Sequence, residues 1–195
     1  MSAPTRQTLI REGSLLLRRN GYAASGIVEL LERSGVPKGS FYHHFGSKEA
    51  FAVEVAEAYY AWHDRRLEAL LAETSTPALE RIYAYFDVLL ERAAEAPSDV
   101  RGCLLGLLAL ETAASGEALP EALHFCFDRW RGRLGGLVAQ AQAAGELPAT
   151  DDPRVLAGLL IDAWEGALIQ ARLADHVTPL RSCRDIALPR LLGAP

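Results

Sequence analysis

The seventeen residues Ser34–Ala50, SGVPKGSFYHHFGSKEA, hold both lysines of a chain whose other fixed positive charges are 18 arginines. Pro37 suits the first turn of a helix, because it has no N–H to leave orphaned there and its φ is preset. A helix from Lys38 to Phe45 is then barely two turns long before Gly46-Ser47 stops it and Ser47 caps a longer successor. Phe41 and Phe45, four apart, share one face. Lys38, Gly39, Ser40, Tyr42 and His43 are left pointing outward or along the edges. These cationic, hydroxylated or small groups suit phosphate oxygens and base edges better than a core.

Upstream, Leu9, Ile10, Gly13, Leu16 and Leu17 recur at helical spacing, with Gly21 as a stop. A shorter helix starts at Ser25 as N-cap, buries Ile27, Leu30 and Leu31 and ends at Gly35. Two short helices joined by a tight Gly-containing turn make a helix-turn-helix. Charge is distributed accordingly: residues 1–50 carry a net +3 and the remainder −8, within a total of −5. A basic head on an acidic body is expected where one end meets a polyanion, although three charges also arise by chance.

The stretch GYAASGIVELLERSGVPKGSFYHHFGSKEAF resembles the DNA-binding domain of TetR-family transcriptional regulators over roughly residues 5–60. The resemblance implies an all-α homodimer. A three-helix head (1–48) would put its third helix into the major groove of operator DNA, and a helical body (49–195) would bind effector and dimerise. It also implies operator contacts at Ser25, Lys38, Gly39, Ser40, Tyr42, His43 and Lys48, with Tyr42 and Lys48 at phosphates. Gly26 departs from the family's helix-favouring residue, which would start the second helix late.

The body reads as further helices. Pro77 opens one with an apolar stripe through Ile82, Tyr83, Phe86 and Leu89, another begins near Gly102-Cys103, and a third runs from Pro120 to Gly145. Asp152 and Pro153 start DPRVLAGLLIDAWEGALIQARLAD, apolar nearly all round, which must be covered on both faces. A second copy of the chain is the simplest cover, with Leu156, Gly158, Ile161 and Gly166 at the interface. A closing helix over Thr178–Leu192 contains Pro189, which should break or kink it.

Polar groups set among apolar ones, Glu111 and His124, with Trp62, Tyr83, Phe86 and Trp164, are candidates for an effector pocket. RGCLLGLLALETA resembles a Gly-Cys-Leu segment in a TetR subgroup that includes repressors responding to reactive electrophiles. Position 107 is Leu where that subgroup often has Asn. For Cys103 three readings stand: packing thiol, contact for a non-covalent effector, and reactive sensor. A helix start favours a thiolate, whereas apolar burial opposes it.

Other classes fit less of the chain. Cys103 with His124 would suggest a cysteine-dependent enzyme, but no orienting third residue, oxyanion loop or cofactor fingerprint accompanies them. A helical adaptor that binds no DNA leaves SFYHHF unexplained. Cys103, Cys126 and Cys183 lie far apart without a C-x-x-C pair, so neither disulfides, a metal site nor a cofactor is expected. The longest apolar runs fall short of the ~20 residues that span a bilayer, and no signal-peptide pattern opens the chain, so a cytoplasmic protein is expected.

Overall fold

The computed structural model of the chain describes residues 3–112 and 118–193, and among them every regular element is helical. The elements in chain order are α1 (Ala3–Ala24), α2 (Ile27–Ser34), α3 (Lys38–Phe45), α4 (Lys48–Ala72), α5 (Ala78–Glu95), a 3-10 turn (Ser98–Val100), α6 (Leu104–Thr112), α7 (Ala118–Ala143), α8 (Pro153–Ala174), α9 (Thr178–Ser182), a π turn (Cys183–Ala187) and α10 (Leu188–Leu192). By packing, the chain sorts into two compact units, residues 1–62 with 103–127, and residues 63–102 with 128–195.

In the first unit, α1 is interrupted at Gly21 (φ 80, ψ 178), a conformation open mainly to glycine. Leu9, Leu16 and Leu17 of α1, Leu30 of α2, and Phe41 and Phe45 of α3 are buried together with Phe51, Ala52 and Val55 of α4. Gly13 sits where any Cβ would enter the Phe51 ring, so α1 and α4 approach closely there. Helix α6 packs on α1 in the same unit. The second helix of the head starts late, as Gly26 suggested: its N-cap is Gly26, without a side-chain cap. Ser25 is not that cap. Its hydroxyl donates back to the Gly21 carbonyl at 2.5 Å and reaches the Leu16 carbonyl at 3.4 Å.

In the second unit the helix starts are capped at short and long range. Asp152 accepts from the N–H groups of Arg154 and Val155, as its place before Pro153 led one to expect. The start of α5 is capped from a distance by Glu146, which accepts from Ala78 N–H (3.2 Å) and Leu79 N–H (2.6 Å). The closing segment, expected to break or kink at Pro189, is α-helical only in two short pieces, with Pro189 the second residue of α10. The chain widens into the π turn just before it, where Leu188 N–H reaches back five residues to the Cys183 carbonyl, and α10 continues. An i→i+5 register shifts the ladder ahead of the proline, so its missing N–H is absorbed within the widened turn.

Candidate functional site

Helix α3 is held by its aromatic face. Phe41 is wholly buried and Phe45 nearly so, and their ring centres lie 5.3 and 4.9 Å from that of Phe51 in edge-on packing. Gly46 N–H closes the helix on the Tyr42 carbonyl, and Ser47 Oγ then accepts from Ala50 N–H at 3.0 Å to start α4. With that face inward, Lys38, Gly39, Tyr42 and His43 are exposed and Ser40 is half-buried. Tyr42 is 47% exposed although it is among the largest side chains of the head. Five of the seven expected DNA-facing residues therefore share one short helix.

Lys48 is the first residue of α4, three positions beyond the last residue of α3. Its ammonium donates to the Ala23 carbonyl at 3.4 Å and lies 4.6 Å above the centre of the Tyr22 ring. Partial burial lowers its pKa from the ordinary lysine value, and the Glu111 carboxylate pulls the other way. Ser25 lines the same small cavity as Lys48, but its side chain is buried at 4% exposure and its hydroxyl donates to carbonyls of α1.

The residues expected to line an effector pocket are divided between the two units, Trp62, Cys103, Glu111 and His124 in the first and Tyr83, Phe86 and Trp164 in the second. Phe86 and Trp164 do meet, buried, with ring centres 5.3 Å apart. Tyr83 is instead covered by the Arg184 guanidinium, 4.9 Å from its ring centre, which is itself bidentate on Asp87. Trp62 is half-buried, Cys103 is buried immediately before α6, and His124 is exposed on α7. Glu111 stands exposed at the end of α6, where Ala23 N–H donates to its Oε2 at 2.8 Å, and so belongs with the head.

One buried polar group escaped the sequence reading. His63 is 4% exposed, its Nδ1 lies 2.7 Å from the Tyr85 hydroxyl, and its ring centre is 4.6 Å from that of Trp130. Burial, reinforced by the positive charge of Arg92, holds its pKa down at about 3, so the ring is neutral at pH 7. The signal was spacing: Ala56, Tyr60, His63 and Leu67 recur at four- and three-residue steps along α4.

On α8 the four residues expected at the interface differ in exposure within the single chain. Leu156 and Ile161 are buried within the chain's own core, and Gly158 is buried with Arg131 as its nearest neighbour. Gly166 is exposed, beside a row of exposed apolar side chains at Val155, Leu159, Ile169 and Leu173. Between α8 and the last helical segment runs an open groove lined by Ala163, Gly166, Cys183, Ile186 and Arg190 among others. No helix among the described residues is long and apolar enough to cross a membrane, and no cluster of potential metal ligands occurs among them.

The family description "Bacterial regulatory proteins, tetR family" matches residues 9–55, and "Tetracyclin repressor-like, C-terminal domain" matches residues 78–187. The transcriptional regulator AcuR of Cereibacter sphaeroides is 37% identical over 176 residues, covering 90% of this chain and 80% of that protein. The transcriptional repressor DhaR of a Mycobacterium species is 29% identical over 189 residues, covering 97% and 93%. A crystal structure of a TetR regulatory protein from Rhodobacter sphaeroides superposes with a TM-score of 0.89 at 35% identity, covering 97% of this chain and 99% of that one. With a buried-face recognition helix in the first matched region and a helical body in the second, the chain belongs to the TetR family and is a ligand-responsive, DNA-binding transcriptional regulator, not an enzyme.

Proposed function

We propose that the protein is a cytoplasmic repressor that binds double-stranded operator DNA as a homodimer through α3 and releases it when a small molecule occupies the body. The observation that carries this reading is the division of α3 into a buried Phe41/Phe45 face and an outer face of Lys38, Gly39, Ser40, Tyr42 and His43. Lys38 and Ser40 are assigned to base edges or phosphates, Gly39 to close approach of the backbone, and Tyr42 and Lys48 to phosphates. A lysine is a flexible point charge that tolerates imperfect phosphate geometry.

The test is a titration of the full-length protein with its own upstream intergenic DNA over a series of salt concentrations. Lys48→Ala should weaken binding and flatten the dependence of log K on log salt by about one, as expected for one lost phosphate contact. An unchanged affinity and slope would remove Lys48 from the interface. Replacing Lys38 should in addition relax sequence preference.

Two effector readings are separated at Cys103. It takes the N-cap position of α6, its carbonyl accepting Leu107 N–H at 3.1 Å, and its side chain is buried. We read it as a packing contact for a reversible ligand; modification by an electrophile is the second reading, favoured by its place at a helix start. Under mild alkylation of the protein, a sensor thiol reacts before Cys126 and Cys183, and Cys103→Ser protects operator binding. Cys183 makes a good internal reference, because burial pushes its thiol up to about 11.

A further inference from the structure

We propose that Glu111, in the last turn of α6, is a positioning residue for the DNA-facing end of the first unit: its carboxylate holds the Gly21–Ser25 turn and, through that turn, the Lys48 ammonium. The proposal rests on the reading of Lys48 as a phosphate ligand. Ala23 is the shared link, since its N–H donates to Glu111 Oε2 at 2.8 Å while its carbonyl accepts from Lys48 Nζ at 3.4 Å. One peptide residue thus joins the end of α6 to the start of α4. The far end of the turn is tied down by Ser25, which donates to the Gly21 carbonyl.

Nothing in α6 itself favours a carboxylate at this place. A negative side chain in the last turn of a helix opposes the helix dipole, and the stretch of α6 before Glu111, LLGLLAL, is apolar. Nor does simple charge favour it, since an acid beside a DNA-facing lysine repels phosphate. What Glu111 supplies is the bond to Ala23. The turn is shaped to receive it: Gly21 has φ 80, and a Cβ built there would run into the Glu111 carboxylate.

The experiment measures affinity of the full-length protein for its upstream intergenic duplex, across a salt series, for Glu111→Ala, Glu111→Gln, Lys48→Ala and the Glu111→Ala/Lys48→Ala pair. Loss of one positioning hydrogen bond should weaken binding by Glu111→Ala roughly three- to tenfold. The salt slope should flatten by about one, because Lys48 no longer meets its phosphate. The double variant should bind little worse than Lys48→Ala, since both changes remove the same contact. Glu111→Gln keeps an acceptor for Ala23 N–H and should recover most of the binding. If the Ala variant fails to melt cooperatively, Glu111→Met, of similar length but without an acceptor, takes its place. Unchanged or tighter binding overturns the proposal, the latter being the outcome of charge removal alone. Full additivity with Lys48→Ala, or a Gln variant as weak as Ala, overturns it equally. If Lys48→Ala itself has no effect, the phosphate reading fails and takes the proposal with it; a normal Lys48→Ala effect beside an inert Glu111→Ala sinks the proposal alone.

Discussion

His63 shows how far one side chain's surroundings change its chemistry. A histidine in the unfolded chain titrates near 6.5. Buried against Tyr85 and Trp130, this one stays neutral down to about pH 3. The folded pKa lies below the unfolded one, so the unfolded state binds more protons between those values. Stability is fully present above pH 6.5 and is lost as pH falls from there towards 3. At pH 5 the loss from this residue should be about 2 kcal/mol. Urea unfolding at pH 7.5 and 5.0 should show a larger drop for the wild type than for His63→Gln; equal drops would mean that the imidazole is not held neutral. Ser25 carries a second lesson at this scale. Sequence placed its hydroxyl at a helix start, but in the fold it lies one residue ahead of the Gly26 N-cap and donates to the Gly21 carbonyl at 2.5 Å.

Helix ends are where elements differ most in how well they are secured. Helix α2 starts on a bare glycine: Gly26 has φ −85 and ψ 141, suitable for any residue, and a Cβ there meets nothing within 4 Å. Gly26→Ser should supply the missing cap and restrict the unfolded chain, raising stability by roughly 0.5–1 kcal/mol. Thermal melting that showed a loss would mean that the turn needs glycine for a reason other than φ. Helix α5 is the opposite case. Its first N–H groups are satisfied by Glu146, 67 and 68 residues away in sequence. Glu146→Ala should cost about 1 kcal/mol and lower Tm by roughly 2–4 °C in a chain of this size. A short-range pattern revealed Asp152 as a cap; none revealed Glu146, because its carboxylate reaches α5 only after the chain has folded back.

For the whole molecule, the exposed apolar row on α8 is the surface we propose for the homodimer contact. Leu173 is 82% exposed and Ile169 and Val155 more than half, whereas a helix of a monomer keeps such residues inside. We assign the homodimer contact to Val155, Leu159, Ile169 and Leu173, with Gly166 allowing close approach, in place of Leu156 and Ile161, which the chain buries itself. Leu159→Asp should shift the protein to monomer in sedimentation equilibrium and abolish high-affinity operator binding, because one head contacts only a half-site. A dimer unaffected by that change, and by Leu173→Asp, would place the interface elsewhere.

Amino-acid pattern by itself determined the all-helical class, the helix-turn-helix made by α2 and α3 and the outer residues of α3. These depend on local rules: proline and glycine mark helix ends, and three- and four-residue spacing divides inner from outer faces. The tertiary structure alone decided which apolar face of α8 is left over, how the last helix passes Pro189, where His63 finds its hydroxyl, and that Glu111 meets the Gly21–Ser25 turn. All but the π turn before Pro189, which is a local contact, depend on which groups meet after long-range closure. A helix apolar all round offers several equivalent faces, and an isolated carboxylate or imidazole carries no local mark of the partner, tens of residues away, that will satisfy it.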